Sequence, residues 1–455
     1  MKKTIVFLLS ALLVLAAALS LAACNNGVGG SNDSVTRMTI TLVAAGSSGA
    51  AVKEEVLGDE TEYYTVSGYS FSEADAAIVS NAEADPNYYT DLYNGKRKGT
   101  ESYAEEKERF EQMKSFTVPT AVKVAVSESK LNLTTENLAA MDDNGVIDLS
   151  NGASNAKTVY IRAISDDAFF NHTELETIKV GDNVKAIGSG AFNACSGLTE
   201  IELPFAGAKE GAVNGAKNFG YVFGTASYTG GVSVTQSYNL SGSATYYIPE
   251  NLKTVKIGSE IGEYAFYGVT TIDSVADIPV GNVIPAYAFY GCTGLREVSL
   301  PSTVTEIDEG AFNGCSKLVS VNFAELASLE TIGKGAFANC SRLCYKEADK
   351  ALTVPASVTF IGEEAFANCA SVEKLVINGT VSVRAAAFKG LTSLKDATIG
   401  DNVTLSTGVF MNWSDFLTVH NSASAGGENA RIAHAFIGAY TADYAGIKKN
   451  LEFVA

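Results

Sequence analysis

The stretch IPAYAFYGCTGLREVSLP, residues 284–301, contains the pattern that decides the fold of this chain. An Ala-Phe pair is followed after three residues by a cysteine, and then by alternating apolar residues that end in Leu-Pro. Alternation with a period of two is typical of a β-strand with one buried face. The stretch therefore predicts a turn that places Ala-Phe in the core, followed by one short strand.

The same pattern recurs along most of the chain. Ala-Phe pairs occur at Ala168-Phe169, Ala191-Phe192, Ala265-Phe266, Ala288-Phe289, Ala311-Phe312, Ala336-Phe337, Ala365-Phe366 and Ala387-Phe388, with a weaker copy at Val409-Phe410. Successive Phe residues are 23, 74, 23, 23, 25, 29, 22 and 22 positions apart. A fixed period in this range indicates a solenoid, in which each coil buries its apolar side against its neighbours. We expect a β-rich solenoid of about eleven coils, with one main strand per coil of ~23 residues.

Composition limits the classes of partner. The chain has 455 residues, of which 46% are hydrophobic and 18% charged, and its formal net charge is −18. A disordered chain shows the opposite balance between hydrophobic and charged residues. Because the chain is strongly negative, we expect no binding to nucleic acid.

The N-terminus resembles the signal of a bacterial lipoprotein. Lys2 and Lys3 precede a predominantly apolar run at 5–19, and Leu21-Ala22-Ala23-Cys24 ends this run with small residues before a cysteine. The resemblance implies that residues 1–23 are a cleaved signal peptide and that Cys24 carries the lipid. The alternative is an uncleaved membrane helix, because about 20 apolar residues can span a bilayer.

Two segments lie between this signal and the repeats. Residues 24–34 are rich in Gly, Ser and Asn, as in a flexible tether. Residues 35–130 do not match the repeat; they are acidic, and they contain alternating stretches typical of strands and a helix-like charge pattern at 102–114. We interpret them as a small α+β module or as a cap. Solenoids need caps because a terminal coil otherwise exposes its apolar face and its strand edge.

The solenoid is predicted over residues 131–455, with one interruption. The spacing of 74 residues between Phe192 and Phe266 contains an insertion, 205–247, which is rich in Gly, Ala, Ser and Tyr. Insertions in repeats form loops on one side of a solenoid, often the binding side. The alternative is that the aromatic side chains of the insertion fold back and cover the neighbouring coils.

The cysteines indicate packing rather than chemistry. Five of the seven, Cys195, Cys292, Cys315, Cys340 and Cys369, follow a repeat Phe by three residues, where a small apolar side chain is expected to stack from coil to coil. Whether Cys340 pairs with the off-pattern Cys344 is left open. No CxxC motif occurs and the three His residues are far apart in the chain, so we expect neither a metal site nor a cofactor.

The repeat, with its following Ile-x-Leu-Pro strand, resembles the BspA-like leucine-rich repeat proteins, a bacterial surface group. The resemblance covers residues 155–420, and the aromatic insertion is also similar to one seen in that family. It implies a curved, right-handed solenoid, export to the cell surface, and adhesion or binding of host and matrix proteins. The family shares no catalytic residues that could be assigned here.

These observations favour a lipid-anchored surface protein that binds an extracellular protein or glycan. The lipid on Cys24 would hold it on the outside of the cytoplasmic membrane or in an outer membrane. In the insertion, the candidate ligand-binding residues are Phe219, Tyr221, Phe223, Tyr228 and Tyr238. At outward strand positions, the candidates are Tyr160, Lys179, Glu202, Lys256 and Asn322.

Two alternatives remain open at this point. One alternative to a binding protein is a structural spacer of the envelope, which shares every feature above. The other is a surface hydrolase with its chemistry in the N-terminal module. We expect no enzyme, because neither a phosphate loop nor a Gly-x-Ser-x-Gly elbow is present. Carboxylate pairs of glycoside hydrolases need only be close in space, so the sequence does not exclude them.

Overall fold

The computed structural model describes residues 38–44, 63–71, 111–126, 128–259, 261–276, 281–400, 402–406 and 408–411, and the backbone of 417–421 and 451–454. Cys24, the predicted signal peptide and the predicted tether lie outside these residues, as does most of the predicted helix at 102–114.

Short strands dominate the described residues, and helices are few. In chain order the strands are β1 (Met38–Ala44), β2 (Tyr64–Phe71), β3 (Ser115–Thr117), β4 (Ala121–Val124), β5 (Lys130–Thr134), β6 (Val146–Asp148), β7 (Lys157–Ile164), β8 (Thr177–Lys179), β9 (Ala186–Ile187), β10 (Glu200–Leu203), β11 (Gly231–Ser237), β12 (Ser243–Pro249), β13 (Thr254–Ile257), β14 (Ser274–Ala276), β15 (Val283–Ile284), β16 (Glu297–Val298), β17 (Glu306–Ile307), β18 (Ser320–Val321), β19 (Thr331–Ile332), β20 (Ala351–Val354), β21 (Phe360–Ile361), β22 (Lys374–Ile377), β23 (Ser382–Val383), β24 (Asp396–Ile399), β25 (Thr404–Leu405), β26 (Leu417–Asn421) and β27 (Leu451–Val454). The helices are α1 (Thr135–Ala139) and the 3₁₀ helices Asn214–Lys217, Phe219–Phe223, Phe323–Glu325 and Ala348–Lys350.

One parallel strand from each coil contributes to a continuous side of the solenoid, which we call the strand wall. Sheets of five, two and five strands form it, in the orders β14-β13-β10-β8-β3, β16-β18 and β20-β22-β24-β26-β27. The predicted solenoid with one main strand per coil is therefore confirmed. The described wall has twelve strands rather than about eleven, and its first strand, β3, lies upstream of residue 131, where the solenoid is predicted to begin.

A ladder of Phe rings fills the interior. From Phe266 to Phe410, successive repeat Phe rings lie 5.2 to 5.5 Å apart and nearly parallel. All of these side chains are fully buried. Each Phe amide donates to the backbone oxygen of the residue before the next Phe, as in the bond of 2.8 Å from Phe289 to Ala311. The Ala-Phe pairs therefore form the packed edge opposite the strand wall, as their repetition predicts.

The turn that carries each Ala-Phe pair is bracketed by residues in the left-handed region. In the coil of Phe312 these residues are Gly310 and Gly314, with φ of 60° and 80°. Glycine adopts this region without steric cost, and asparagine adopts it more readily than most residues. Accordingly, Asn339 and Asn368 replace the second glycine in later coils, with φ of 62°.

The repeat cysteines are hydrogen-bond donors between coils. The thiol of Cys315 donates to the backbone oxygen of Phe289 at 3.2 Å, and that of Cys340 donates to Phe312 at 3.1 Å. All six cysteines in the described residues are buried and free, so Cys340 and Cys344 are not paired. Burial raises the pKa of Cys344 to about 12, and the thiol therefore stays protonated at neutral pH.

A mixed sheet closes the N-terminal end of the ladder. Its strand order is β5-β1-β2-β7-β4-β6, and it joins strands from both sides of the boundary predicted at residue 130. The ring of Tyr69, on β2, lies 5.3 Å from that of Phe169 and 4.9 Å from that of Phe116. In the first coil, His172 occupies the cysteine position, and its Nε2 lies 2.9 Å from the backbone oxygen of Tyr69. This sheet covers the first Phe rung.

Candidate binding surface

The insertion supplies the Phe rung that the repeat pattern lacks. Phe223 lies 6.4 Å from Phe192, Phe219 lies 5.3 Å from Phe223, and Phe266 lies 4.8 Å from Phe219, measured between ring centroids. Phe219 and Phe223 are both fully buried. The Phe ladder therefore continues without a gap through the interval of 74 residues.

The backbone hydrogen bonds of the insertion are also equivalent to those between regular coils. The amide of Phe192 donates to the backbone oxygen of Val222 at 2.9 Å. In the regular coils the Phe amide makes the same bond to the Ala before the next repeat Phe. On the other side, the amide of Phe219 donates to Ala265 at 2.8 Å. The prediction that Phe219 and Phe223 contact a ligand is corrected accordingly, because these two rings lie in the core and do not face solvent.

Buried amide side chains fasten the insertion to the coils. Gln236, which is fully buried, accepts from the amide of Gly220 at 2.6 Å and donates to the backbone oxygen of Ala265 at 3.2 Å. Asn218, also fully buried, donates to the backbone oxygen of Tyr264 at 3.0 Å. Buried hydrogen bonds of this kind favour one arrangement of the chain, although the side-chain oxygen of Asn218 has no partner here. The base of the insertion is therefore a rigid support.

An uncharged hairpin, β11–β12, extends from this support. Residues 231–249 include no Asp, Glu, Lys or Arg. Leu240, at the tip, is 92% exposed. Its turn is held by Asn239, whose side-chain oxygen accepts from the amides of Ser241 at 2.9 Å and Gly242 at 2.6 Å. The exposed side chains of the hairpin are Ser233, Thr235, Asn239, Leu240, Ser241, Ser243 and Thr245.

The three predicted tyrosines of the insertion are half-buried. The hydroxyl of Tyr228 donates to the backbone oxygen of Tyr247 at 3.2 Å, and burial raises its pKa. Burial, followed by the charge of Asp166, also raises the pKa of Tyr221. Tyr238 packs along Gly242 in the hairpin turn, where a side chain in place of the glycine would clash with its ring. These tyrosines cover their neighbours with one side and leave the other side to solvent.

The charged candidates on the strand wall are engaged in ion pairs. Lys179, Glu202 and Lys256 lie side by side on β8, β10 and β13. Lys179 forms an ion pair with Glu202 at 3.1 Å, and Lys256 forms one with Glu200 at 2.7 Å. Exposed ion pairs contribute little to stability, yet they neutralise the surface. The structure therefore brings these three residues together, but each of them is already engaged in an ion pair.

Tyr160 and Asn322 lie elsewhere and do not join this group. Tyr160 is 44% exposed, and the guanidinium of Arg162 lies 4.4 Å from its ring centroid. Asn322 donates to the backbone oxygen of Leu300 at 3.0 Å and accepts from the amide of Leu300 at 2.8 Å. Asn322 thus fastens two coils together, and its polar atoms are occupied.

Charge pairing continues along the rest of the strand wall. Further pairs include Lys114–Glu176, Arg296–Asp273, Lys346–Glu297, Lys350–Glu373 and Lys395–Glu373. The hydrogen bonds from Lys350 and Lys395 lower the pKa of Glu373 to about 2. The wall is therefore a mixed and largely neutralised surface.

A cluster of tyrosines beside the insertion was missed by the sequence reasoning. Tyr264 stacks on Tyr287 at 4.9 Å, and Tyr267 stacks on Tyr290 at 4.7 Å. Burial, followed by the nearby Glu309, raises the pKa of Tyr287. The available signal was the Tyr-Ala-Phe-Tyr sequence, which occurs twice, one coil apart. We call these four residues the tyrosine cluster.

The described residues contain neither a candidate metal centre nor a candidate membrane-spanning helix. No group of three or more His, Cys, Asp or Glu side chains there is placed to hold a metal ion. Within the same residues, no helix has the length and apolar character needed to cross a membrane.

Comparison with known proteins identifies the repeat. A family model described as a BspA type leucine rich repeat region matches in six copies, over residues 156–214, 240–350 and 344–424. These ranges cover more than half of the chain. The chain belongs to the BspA-type leucine-rich repeat family. The matches omit residues 215–239, so the 3₁₀ helix Phe219–Phe223 and strand β11 lie outside the BspA-type pattern.

Solved structures include similar leucine-rich repeat proteins. One, from Bacteroides ovatus, is 16% identical, with 84% of this chain and 77% of that one covered and a TM-score of 0.37. A leucine rich cell surface protein from Faecalibacterium prausnitzii is 18% identical over 72% and 91% of the two chains, with a TM-score of 0.28. The pneumococcal vaccine antigen PcpA is 17% identical over 68% and 73%, with a TM-score of 0.31. No curated protein matches the chain.

Proposed function

We propose that this protein is a lipid-anchored cell-surface binding protein and that the hairpin β11–β12 binds an extracellular protein. The observation that carries the proposal is the exposed Leu240, at the tip of an uncharged hairpin whose base is buried in the solenoid. Covering a leucine that is exposed to this extent lowers the free energy of the complex with the partner. The partner would be a protein with an apolar pocket rimmed by hydrogen-bonding groups.

Preorganisation supports this role for the hairpin. Binding is weakened by the entropy lost when flexible loops become ordered, and a rigid loop avoids most of that loss. Here the turn is held by Asn239, and the two strands are joined by a side-chain hydrogen bond of 2.9 Å between Thr235 and Thr245. Ser, Asn, Gly and Tyr side chains provide adaptable polar contacts and rigid contact area, as in antibody loops.

The hairpin hypothesis is tested with two matched variants. Leu240→Ser removes the exposed side chain at the tip, and Val126→Ser removes another exposed apolar side chain, 71% exposed, from the N-terminal region. The chain from Asn25 onward is used without lipid to capture proteins from host and bacterial surface fractions. We expect Leu240→Ser to lose at least one specific protein that the wild type and Val126→Ser both retain. Identical capture by all three chains would contradict a binding role for the tip.

Surface anchoring rests on the Cys24 pattern and on the BspA-type family. Cys24→Ser is expected to abolish incorporation of a radiolabelled fatty acid and to release the protein from the membrane fraction. Ser31→Ala, in the predicted tether, is the control and should leave both unchanged. Labelling of the Cys24→Ser chain at the wild-type level would contradict the lipid anchor while leaving the hairpin hypothesis intact.

A further inference from the structure

Two tyrosines of the tyrosine cluster occupy a backbone position that is left-handed and often filled by glycine in other coils. Tyr264 and Tyr287 have φ of 62° and 57°. The equivalent residue, two positions before the repeat Phe, is glycine in four other coils, for example Gly310 and Gly335 with φ of 60° and 59°. In the remaining three coils it is Asp167, Glu364 or Ala386, also with positive φ. A bulky residue in the left-handed region is strained, and such strain concentrates at functional sites. Several side chains are therefore tolerated at this position, but among the described coils those of Phe266 and Phe289 place a bulky aromatic ring there, in two successive levels.

The cluster already accommodates a cation on one of its faces. The ammonium of Lys217, from the insertion, lies 5.0 Å from the centroid of the Tyr264 ring. Tyr264 is nearly covered, whereas Tyr267, Tyr287 and Tyr290 are half-buried and keep part of their surface in solvent. Aromatic faces attract ammonium and guanidinium groups through the ring quadrupole.

The carboxylates beside the cluster are not neutralised by lysine, in contrast to those of the strand wall. Glu309 and Asp308 are close enough to Tyr287, and Glu263 to Tyr264, to act on the tyrosine hydroxyls. Within the described residues none of these three carboxylates forms an ion pair, whereas carboxylates on the wall such as Glu202 and Glu373 do. Lys217 thus lies near the cluster without an ion pair to these carboxylates, which leaves their charge available to a cationic ligand.

We propose that the tyrosine cluster is a second binding site, which takes lysine or arginine side chains from a basic segment of a partner protein. The half-buried rings supply the faces, and Glu263, Asp308 and Glu309 supply the opposite charge. The site belongs to two regular coils of the solenoid, so it functions independently of the hairpin tip.

The site is tested by measuring the affinity of the protein for a fluorescent oligolysine peptide at physiological salt. Because the whole chain is acidic, part of the binding will be unspecific, and variants must separate that part. The double variant Tyr267→Ala/Tyr290→Ala is expected to weaken peptide binding about tenfold, the effect of roughly one lost cation–π contact. Wild-type affinity in this variant would overturn the proposal.

Charge variants provide the matched control. Glu263→Gln/Glu309→Gln removes two negative charges beside the cluster. Asp143→Asn/Glu330→Gln removes two from exposed positions elsewhere in the chain. We expect weaker binding only in the first pair; equal losses in the two pairs would show general attraction and overturn the site. Leu240→Ser must retain the peptide, which separates this site from the hairpin. A neutral oligosaccharide that binds more tightly than oligolysine, and is lost in the tyrosine variant, would replace the basic partner by a glycan.

Tyr287→Gly separates binding from packing. Since glycine suits this backbone position, the variant is expected to keep the wild-type melting temperature within a few degrees, while oligolysine binding falls several-fold. A large fall in melting temperature with unchanged peptide binding would show that Tyr287 serves packing alone and would overturn the proposal.

Discussion

A regular coil and the coil of the insertion fill the same place in the ladder with different sequences. The regular coil of Phe312 has Ala before the Phe, glycine on both sides and Cys315 as a donor. The insertion has Val222-Phe223, a second ring from Phe219 and no cysteine, yet its bonds to the neighbouring coils are equivalent. Each level of the solenoid therefore requires a buried ring and paired backbone groups rather than the consensus residues.

The largest expected effect tests whether the insertion ring is equivalent to a repeat ring. Phe219→Ala and Phe312→Ala each remove a fully buried ring. Both should destabilise the protein by about 3–5 kcal/mol, because a cavity is added to the lost burial. Denaturant unfolding followed by circular dichroism measures this loss for both variants.

Phe170→Ala is the control for these two variants. Its side chain is 55% exposed and adjoins the repeat Phe169. We expect a loss below about 1 kcal/mol, because little packing is removed. If Phe219→Ala resembled Phe170→Ala rather than Phe312→Ala, the insertion ring would not be a rung of the ladder.

The period in the sequence was sufficient to predict the regular coils, because each coil packs its Ala-Phe pair against the equivalent pair about one period away. The insertion coil was not predictable in this way. Phe219 and Phe223 lie 27 and 31 residues after Phe192 and follow Asn and Val rather than the Ala that marks most other rungs. Only the three-dimensional structure shows that their rings enter the ladder rather than solvent.

Candidate site residues were predicted less well than the fold. Outward strand positions could be identified from alternation, but Lys179 and Glu202 pair with each other, which depends on the register between coils. The repeated tyrosines were visible in the sequence, whereas the left-handed φ of Tyr264 and Tyr287 was not. The value of Leu240 as a candidate depends on its exposure at the end of a turn, which sequence alone does not give.

The second-largest expected effect concerns the side-chain hydrogen bonds that join coils. Gln236 makes such a bond in the insertion, and Cys315 makes one in a regular coil. Gln236→Leu leaves the buried amide of Gly220 without the acceptor that it uses. Cys315→Ala removes a donor from the backbone oxygen of Phe289, which still accepts from the amide of Cys292 at 3.2 Å. An unsatisfied buried amide costs about 1–3 kcal/mol, and loss of one of two donors costs about 1 kcal/mol or less. Thermal unfolding of both variants should therefore rank Gln236→Leu as the less stable; the reverse order would show that the thiol bonds dominate.

The smallest expected effect concerns the charge pairs that the regular coils have and the hairpin lacks. Lys350 and Lys395 lower the pKa of Glu373 from 4.5 to about 2, so the folded state holds this carboxylate deprotonated more strongly than the unfolded state does. The stabilisation is therefore complete above pH 4.5 and is lost as the pH falls from 4.5 towards about 2. Glu373→Gln should lower the melting temperature slightly at neutral pH and should reduce its fall over that acid range. Leu240→Ser is the control from the uncharged hairpin and should follow the wild-type pH curve throughout. If Glu373→Gln also followed that curve, the pairing of Glu373 with its two lysines would contribute nothing measurable to the stability of the folded state.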